Sequence, residues 1–272
     1  MSEEKTVAQT PTPRTRHSLG LDLRRLGLRP GMTVLVHASL SQIGWVSGGP
    51  VAVIHALQDV LTPQGTLVMP AHTLSGDPAD WENPPVPKKW YETIRQHRPA
   101  FDPRLTPTRQ MGAIAELFRT WPDVLRSNHP ADSFSAWGQH AEFVTANHAL
   151  NNGLGDNSPL GRLYDLDGWI LLLGVGHINN TSFHLAEYRA PNPTPASNST
   201  TILYNNHPTW ITYHDIELDP DPFPQIGAEL EETGVVTINE VGSATARLMS
   251  QPIAVDFATN WIHQHRQRTT AT

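Results

Sequence analysis

The segment Asn179-Asn180-Thr181-Ser182-Phe183-His184-Leu185-Ala186-Glu187 holds an imidazole and a carboxylate at a spacing suited to catalysis. On a helix, His184 and Glu187 stand at i and i+3, so both side chains leave the same face. A carboxylate beside an imidazole fixes its tautomer and raises its basicity, as a general base near neutral pH requires. The competing reading is a helix capping box, in which Ser or Thr precedes an acidic residue by three positions. Ser182 and Glu187 lack that spacing, but the residues by themselves leave both roles open.

Three more histidines stand where strands are expected to end. His37 follows TVLV, His72 follows LVMPA and His177 follows LLLGVG. In parallel α/β sheets ligands bind outside the carboxyl ends of the strands. One such histidine can simply satisfy a local backbone group, whereas three in one sheet point to a crevice. No H-E-x-x-H or H-x-H occurs, and the repeated motifs of a di-iron bundle are missing, so no metal is expected. There is no G-x-S-x-G elbow. The nearest hydroxyl-bearing run, His37-Ala38-Ser39-Leu40-Ser41, is read as a turn that bonds a ligand or its own backbone. Ser47-Gly48-Gly49-Pro50 and the stretch from Thr106 to Gly112 precede helices, whose first N–H groups favour anions. Asp215, Glu217, Asp219 and Asp221 alternate, so on a strand they would share one face. That face is either a charged edge that resists aggregation or a pocket wall for a polycation.

These residues need a scaffold. Thr33–His37 and Gly65–Pro70 read as buried strands, with a Ser/Gly loop (Ser39–Gly49) and a helix (Pro50–Leu61) between them. Such a βαβ unit predicts a parallel sheet. Leu19–Leu28 is an amphipathic helix ended by Arg29-Pro30-Gly31. The proline-rich stretch 74–108 is a long loop whose Trp81, Trp90 and Tyr91 call for a packing surface. Met111–Thr120, Gly138–His148, Ser158–Leu166 and Thr181–Arg189 read as helices. Trp169–Val175 is the strongest strand, apolar on both faces. Thr201–Tyr204, Trp210–Ile216 and Val235–Ile238 follow as antiparallel strands, with helices at Gln225–Glu232, Ser243–Met249 and Ala254–His265. Residues 1–18 are expected to be a disordered tail and 19–272 a single domain, with 190–246 facing the substrate.

Composition narrows the chemistry. Charged residues make up 17% of the chain, apolar ones 38%, and the formal charge is −7. There is no cysteine, which removes disulfides, thiolate metal sites and any thiol nucleophile. An acyl group therefore cannot ride on the protein's own sulfur. The net charge argues against nucleic acid. Residues 190–246 contain no Lys or Arg and many acids, which suits a cationic partner. The N-terminus has no apolar secretory core, and no apolar run is long enough to cross a bilayer. A soluble cytoplasmic protein, monomer or homodimer, without membrane partners is the expectation.

Taken in order, RPGMTVLVHASLSQIGWVSGGP, QGTLVMPAHT, DPADWENPPVP, FDPRLTPTRQMGAIAELFRTWP, RSNHPADSFSAWG, SPLGRLYDLDGWILLLGVGH and NNTSFHLAEYRA resemble the aminoglycoside 3-N-acetyltransferase family. The likeness covers most of the chain. It implies an α/β fold of three α/β/α layers, with a mixed, centrally parallel sheet and a C-terminal antiparallel extension, unlike the general N-acetyltransferase fold. It implies acetyl transfer from acetyl-coenzyme A to the 3-amino group of the 2-deoxystreptamine ring of aminoglycosides, and so antibiotic resistance. His184 would be the general base and Glu187 its orienting carboxylate, with His37 and Thr181 nearby. Ser39, Leu40, Ser41, Thr108, Met111 and Gly112 would line the coenzyme A site. Asp77, Asp215, Glu217, Asp219 and Asp221 would face the substrate. Two positions depart from the family pattern: Ala38 where Ser is common, and Ile178 where a polar residue is frequent. The second leaves room for another amine substrate, and a module that binds aminoglycosides without chemistry is the alternative outside enzymes.

Overall fold

In the computed structural model, which describes residues 3–73, 76–81 and 84–270, the chain opens with α1 (Glu3–Gln9) and α2 (Arg16–Leu26). Thr15 caps α2: its hydroxyl accepts from the Ser18 N–H, and the Ser18 hydroxyl accepts from the Thr15 N–H. Within the expected disordered tail over 1–18, Glu3–Gln9 and the residues from Arg16 on are helical, and Arg14 between them bridges to Val46. Residues 1 and 2 of that tail lie outside the described residues.

The expected βαβ unit forms from β1 (Thr33–Ala38), α4 (Gly49–Leu61) and β2 (Thr66–Pro70). A short helix, α3 (Leu40–Ile43), sits in what the sequence suggested was a plain loop. The proline-rich stretch folds into 3-10 turns at Pro78–Asp80 and Lys88–Trp90 and into α5 (Tyr91–His97). Positions 74, 75, 82 and 83 of that stretch are outside the described residues. Then follow α6 (Gly112–Phe118), β3 (Leu125–Arg126), β4 (Phe134–Gly138), α7 (Ala141–Thr145), α8 (Pro159–Asp165) and β5 (Trp169–Leu173). The last third holds α9 (Ser182–Arg189), β6 (Pro195–Tyr204), β7 (His207–Ile216), α10 (Phe223–Glu232), β8 (Thr237–Val241), β9 (Ala244–Ser250) and α11 (Gln251–Thr270).

Among the described residues, seven strands form one sheet in the order β3-β4-β2-β1-β5-β9-β8. β2, β1 and β5 are parallel at its centre, and antiparallel strands flank them on both sides. Side chains alternate between the faces of a strand. Val34, Val36, Leu67, Met69, Leu171 and Leu173 pack under α2, α4 and α6. Leu35, Val68, Ile170 and Leu172 pack under α7 to α11. This gives the expected three layers with a mixed, centrally parallel sheet. β6 and β7 pair only with each other, as a separate antiparallel ribbon.

Several expected elements differ. Ser243–Met249 is not a helix: Ala244–Ser250 is β9, paired antiparallel with β5. Ala, Arg, Leu and Met are good helix formers, but Ala244, Ala246 and Leu248 are buried at every second position, and that period decides. Gly138 does not start a helix; it ends β4 at φ 104° where it crosses the backbone of Gly65. The alternating acids do not share a strand face either. β7 stops at Ile216, and Glu217 to Asp221 form a turn ahead of α10, because Pro220 and Pro222 cannot continue a ladder.

Candidate active site

A cavity of about 590 Å³ opens at the carboxyl ends of β1, β2 and β5. His184 enters it from the first turn of α9. Its Nδ1–H donates to Glu187 Oε2 at 2.5 Å, because a carboxylate in this position can only accept. The other carboxylate oxygen, Oε1, accepts from the backbone N–H of Asp219 at 2.8 Å. The two side chains are 14% and 4% exposed. The His184 ring also lies edge-on to Phe223, with centroids 4.8 Å apart. Nδ1 is therefore committed, the imidazole is clamped, and Nε2 is the ring nitrogen left uncommitted. The i, i+3 spacing forms the expected pair.

His37 and His72 line the same cavity. Burial pushes His37 down to about 3, reinforced by the neighbouring imidazoles of His72 and His184. Burial pushes His72 down to about 4, against the opposing pull of Asp132. Both are neutral at physiological pH. The third strand-end histidine turns away. The 3-10 turn His177–Asn179 sends the His177 ring toward α10, where Nε2–H donates to Glu231 Oε1 at 2.8 Å. The same oxygen accepts from Arg247 Nε at 2.6 Å. Gly227 packs so closely on this ring that any Cβ there would overlap it.

Ser39, Leu40, Ser41, Met111, Gly112 and Thr181 all line the cavity. The Ser39 N–H donates to the Leu173 carbonyl at 3.0 Å, which ties the turn after β1 to the end of β5. Thr108 does not line it. Its N–H and hydroxyl donate to Glu116 Oε2 at 2.8 and 2.7 Å, bracing the approach to α6. Burial would raise the Glu116 carboxyl, but hydrogen bonds from Arg119 and Thr108 hold it at about 2.

The acids assigned to the substrate face are placed differently. Asp215 is an anchor: it accepts from the Gly153 N–H at 2.9 Å and from the Tyr188 hydroxyl at 2.7 Å. Asp77 caps the Pro78–Asp80 turn and pairs with Arg95, away from the cavity. Glu217, Asp219 and Asp221 are exposed beside Leu218, which does line it. The carboxylate within the cavity is Asp132, in the loop before β4, inside the RSNHPADSFSAWG motif but given no role of its own there. Ile178, 46% exposed, also faces the cavity. Among the described residues no group of three or more His, Asp or Glu is placed to hold a metal ion. None of their helices is long and apolar enough to cross a membrane.

Comparison with known proteins gives a consistent result. A family profile described as aminoglycoside 3-N-acetyltransferase matches residues 35–263. The SPbeta prophage-derived aminoglycoside N(3')-acetyltransferase-like protein YokD of Bacillus subtilis (strain 168) is 47% identical, over 95% of this chain and 96% of its own. Its crystal structure has a TM-score of 0.95 at 46% identity, covering 97% of this chain and 98% of that one. Aminoglycoside N(3)-acetyltransferase VII of Streptomyces paromomycinus is 32% identical, over 97% and 96% of the two chains. Two solved relatives are ligand complexes. AAC-IIIb, binary with CoASH, has a TM-score of 0.85 at 30% identity, covering 93% of this chain and 98% of that one. AAC-VIa, bound to sisomicin, has a TM-score of 0.84 at 30% identity, covering 93% and 99%.

Proposed function

The chain belongs to the aminoglycoside 3-N-acetyltransferase family, and from that premise we propose that it transfers acetyl from acetyl-coenzyme A to the 3-amino group of the 2-deoxystreptamine ring of aminoglycosides, conferring resistance. The observation that carries this reading is the chain from the Asp219 N–H through Glu187 to His184, ending at the cavity.

An amine must lose a proton to attack a thioester carbonyl. His184 Nε2 accepts that proton, while Glu187 holds the Nδ1–H and favours the imidazolium that forms. The amine nitrogen bonds to the acetyl carbon, the carbon–sulfur bond breaks, and the proton passes from His184 to the departing thiolate. The backbone N–H groups of Leu40 and Ser41, in the turn after β1, serve the developing oxyanion. Ser39, Leu40, Ser41, Met111 and Gly112 hold the coenzyme, with Thr108 supporting them through Glu116. Thr181 and the neutral His37 border the reacting groups. The chain has no cysteine, so acetyl passes directly between the two substrates rather than through an enzyme thioester. Glu217, Asp219 and Asp221 form an acidic rim for an approaching polycation. The use of acetyl-coenzyme A puts the reaction in the cytoplasm.

The similarity to AAC-IIIb with CoASH and to AAC-VIa with sisomicin supports both substrate classes. Ile178 at the cavity favours one rival, the same transfer to a different amine. The test mixes protein, acetyl-coenzyme A and a panel of amines that includes sisomicin, and follows thiol release. Sisomicin should be turned over, and His184→Ala should lower kcat by roughly 10²- to 10⁴-fold while coenzyme A still binds. Release with another amine alone refutes the aminoglycoside reading. Wild-type turnover in the variant refutes the assigned base.

A further inference from the structure

Building on the acetyl-transfer reading, we propose that Asp132 determines substrate specificity by holding a second ammonium group of a di- or polyamine beside the amine that is acylated. Asp132 borders the cavity together with His72, His184 and Leu218. Among the described residues that line this cavity it is the only Asp or Glu, and no Lys or Arg joins it. The adjacent His129 does not neutralise it. His129 Nδ1 is 3.6 Å from Asp132 Oδ2. That nitrogen accepts from the backbone N–H groups of Asp132 and Ala131, at 2.8 and 3.3 Å. The His129 proton is on Nε2, which donates to the Leu150 carbonyl at 3.2 Å. The Nδ1 lone pair of His129 is thus spent on the Asp132 loop, so that nitrogen donates no hydrogen bond to the carboxylate, which is left for a ligand.

The surroundings are built around this carboxylate. A side chain at position 153 would collide with Asp132 Oδ2, so Gly153 lets the carboxylate lie against the backbone. The Gly153 N–H in turn is held by Asp215, which Tyr188 also bonds. Two carboxylates therefore flank Gly153: one is spent on structure and the other faces the cavity. The Asp132 side chain is 26% exposed, sheltered enough for its attraction to exceed that of a surface carboxylate. His72 and His37, the neighbouring imidazoles in the cavity, are neutral and leave the field uncompensated. A monoamine would use only the His184 corner; a diamine would use both.

Calorimetric titration of sisomicin into wild type, Asp132→Asn and Asp132→Glu tests this, with coenzyme A titrated into each as a control for folding. Asp132→Asn should weaken sisomicin binding about 10- to 100-fold, as for loss of a sheltered charge pair. Coenzyme A affinity should hold, and Asp132→Glu should recover part of the loss. Equal sisomicin affinity in wild type and Asp132→Asn overturns the role of Asp132 and leaves acetyl transfer standing. Sisomicin binding without thiol release refutes the transfer reading and leaves Asp132 judged on affinity alone. Absence of binding to the wild type overturns both.

Discussion

Lowering the pH from 7.5 to 5.5 should destabilise the protein far more than its surface charges would. Burial holds His37 near 3, His72 near 4 and His148 near 2 in the folded chain. In the unfolded chain each returns to about 6.5. Each therefore takes up a proton on unfolding, so acid favours the unfolded state. Their contribution is complete above pH 6.5 and is lost as pH falls from there toward the folded values. One pH unit below 6.5 costs about 1.4 kcal/mol for each group, or roughly 4 kcal/mol for the three at pH 5.5. His177, also lowered by burial, acts in the same direction. Glu116, held at about 2, and Glu231, also held below its ordinary value, lose their contributions only below the ordinary glutamate range, outside this window. A loss of about 4 kcal/mol is a large share of the 5–15 kcal/mol that holds a typical domain folded. Equilibrium urea unfolding at the two pH values, followed by tryptophan fluorescence, measures it. Proton NMR should show the imidazoles of His37, His72 and His148 silent between pH 8 and 5. A loss below about 1 kcal/mol, or every imidazole titrating near 6.5, would refute the reasoning.

Three substitutions probe the site and its support. Glu187→Gln keeps the shape but removes the charge, and should lower kcat roughly 10- to 100-fold, part of the usual acid–base contribution, with little change in KM for acetyl-coenzyme A. Asp219→Pro deletes the N–H that holds Glu187 Oε1, so its kcat should fall well below that of Asp219→Asn, which retains the N–H; equal rates would show that the clamp does not matter. Gly227→Ala puts a Cβ at 2.0 Å from His177 Cγ. It should cost about 1–3 kcal/mol or more in urea unfolding, and an unchanged midpoint would show that α10 shifts without penalty.

The parts of the site that were legible in the sequence depend on local chemistry. β1, β2 and β5 could be read because strands buried on both faces must be apolar throughout. His184 and Glu187 could be read because a helix fixes which side chains meet. What could not be read depends on distant partners. β9 is built from helix formers and becomes a strand because β5 offers it an edge. β4 is five residues long and merges with its flanking loops in any local reading. His177 was legible as a strand-end histidine, but its direction is set by Glu231 and Gly227, about fifty residues later. Thr108 and Asp77 carry side chains suited to ligands and spend them on Glu116 and Arg95. Asp132 sits inside a motif without a role of its own there, since its being left for a ligand rests on which His129 nitrogen accepts its own N–H.

Under the proposed function the acidic residues around the cavity divide into two electrostatic roles that composition could not separate. Glu217, Asp219 and Asp221 are exposed, so their attraction extends about one Debye length, ~8 Å at physiological salt, and acts on the encounter. Asp132 is sheltered, so its attraction survives salt and acts on the bound state. The segment carrying the rim also donates the Asp219 N–H to Glu187 and places Leu218 in the cavity. A cation drawn to that rim therefore meets the turn that orients the base. On the proposed mechanism, recognition and proton transfer would share a backbone there, because the turn after β7 both carries the acidic rim and bonds Glu187.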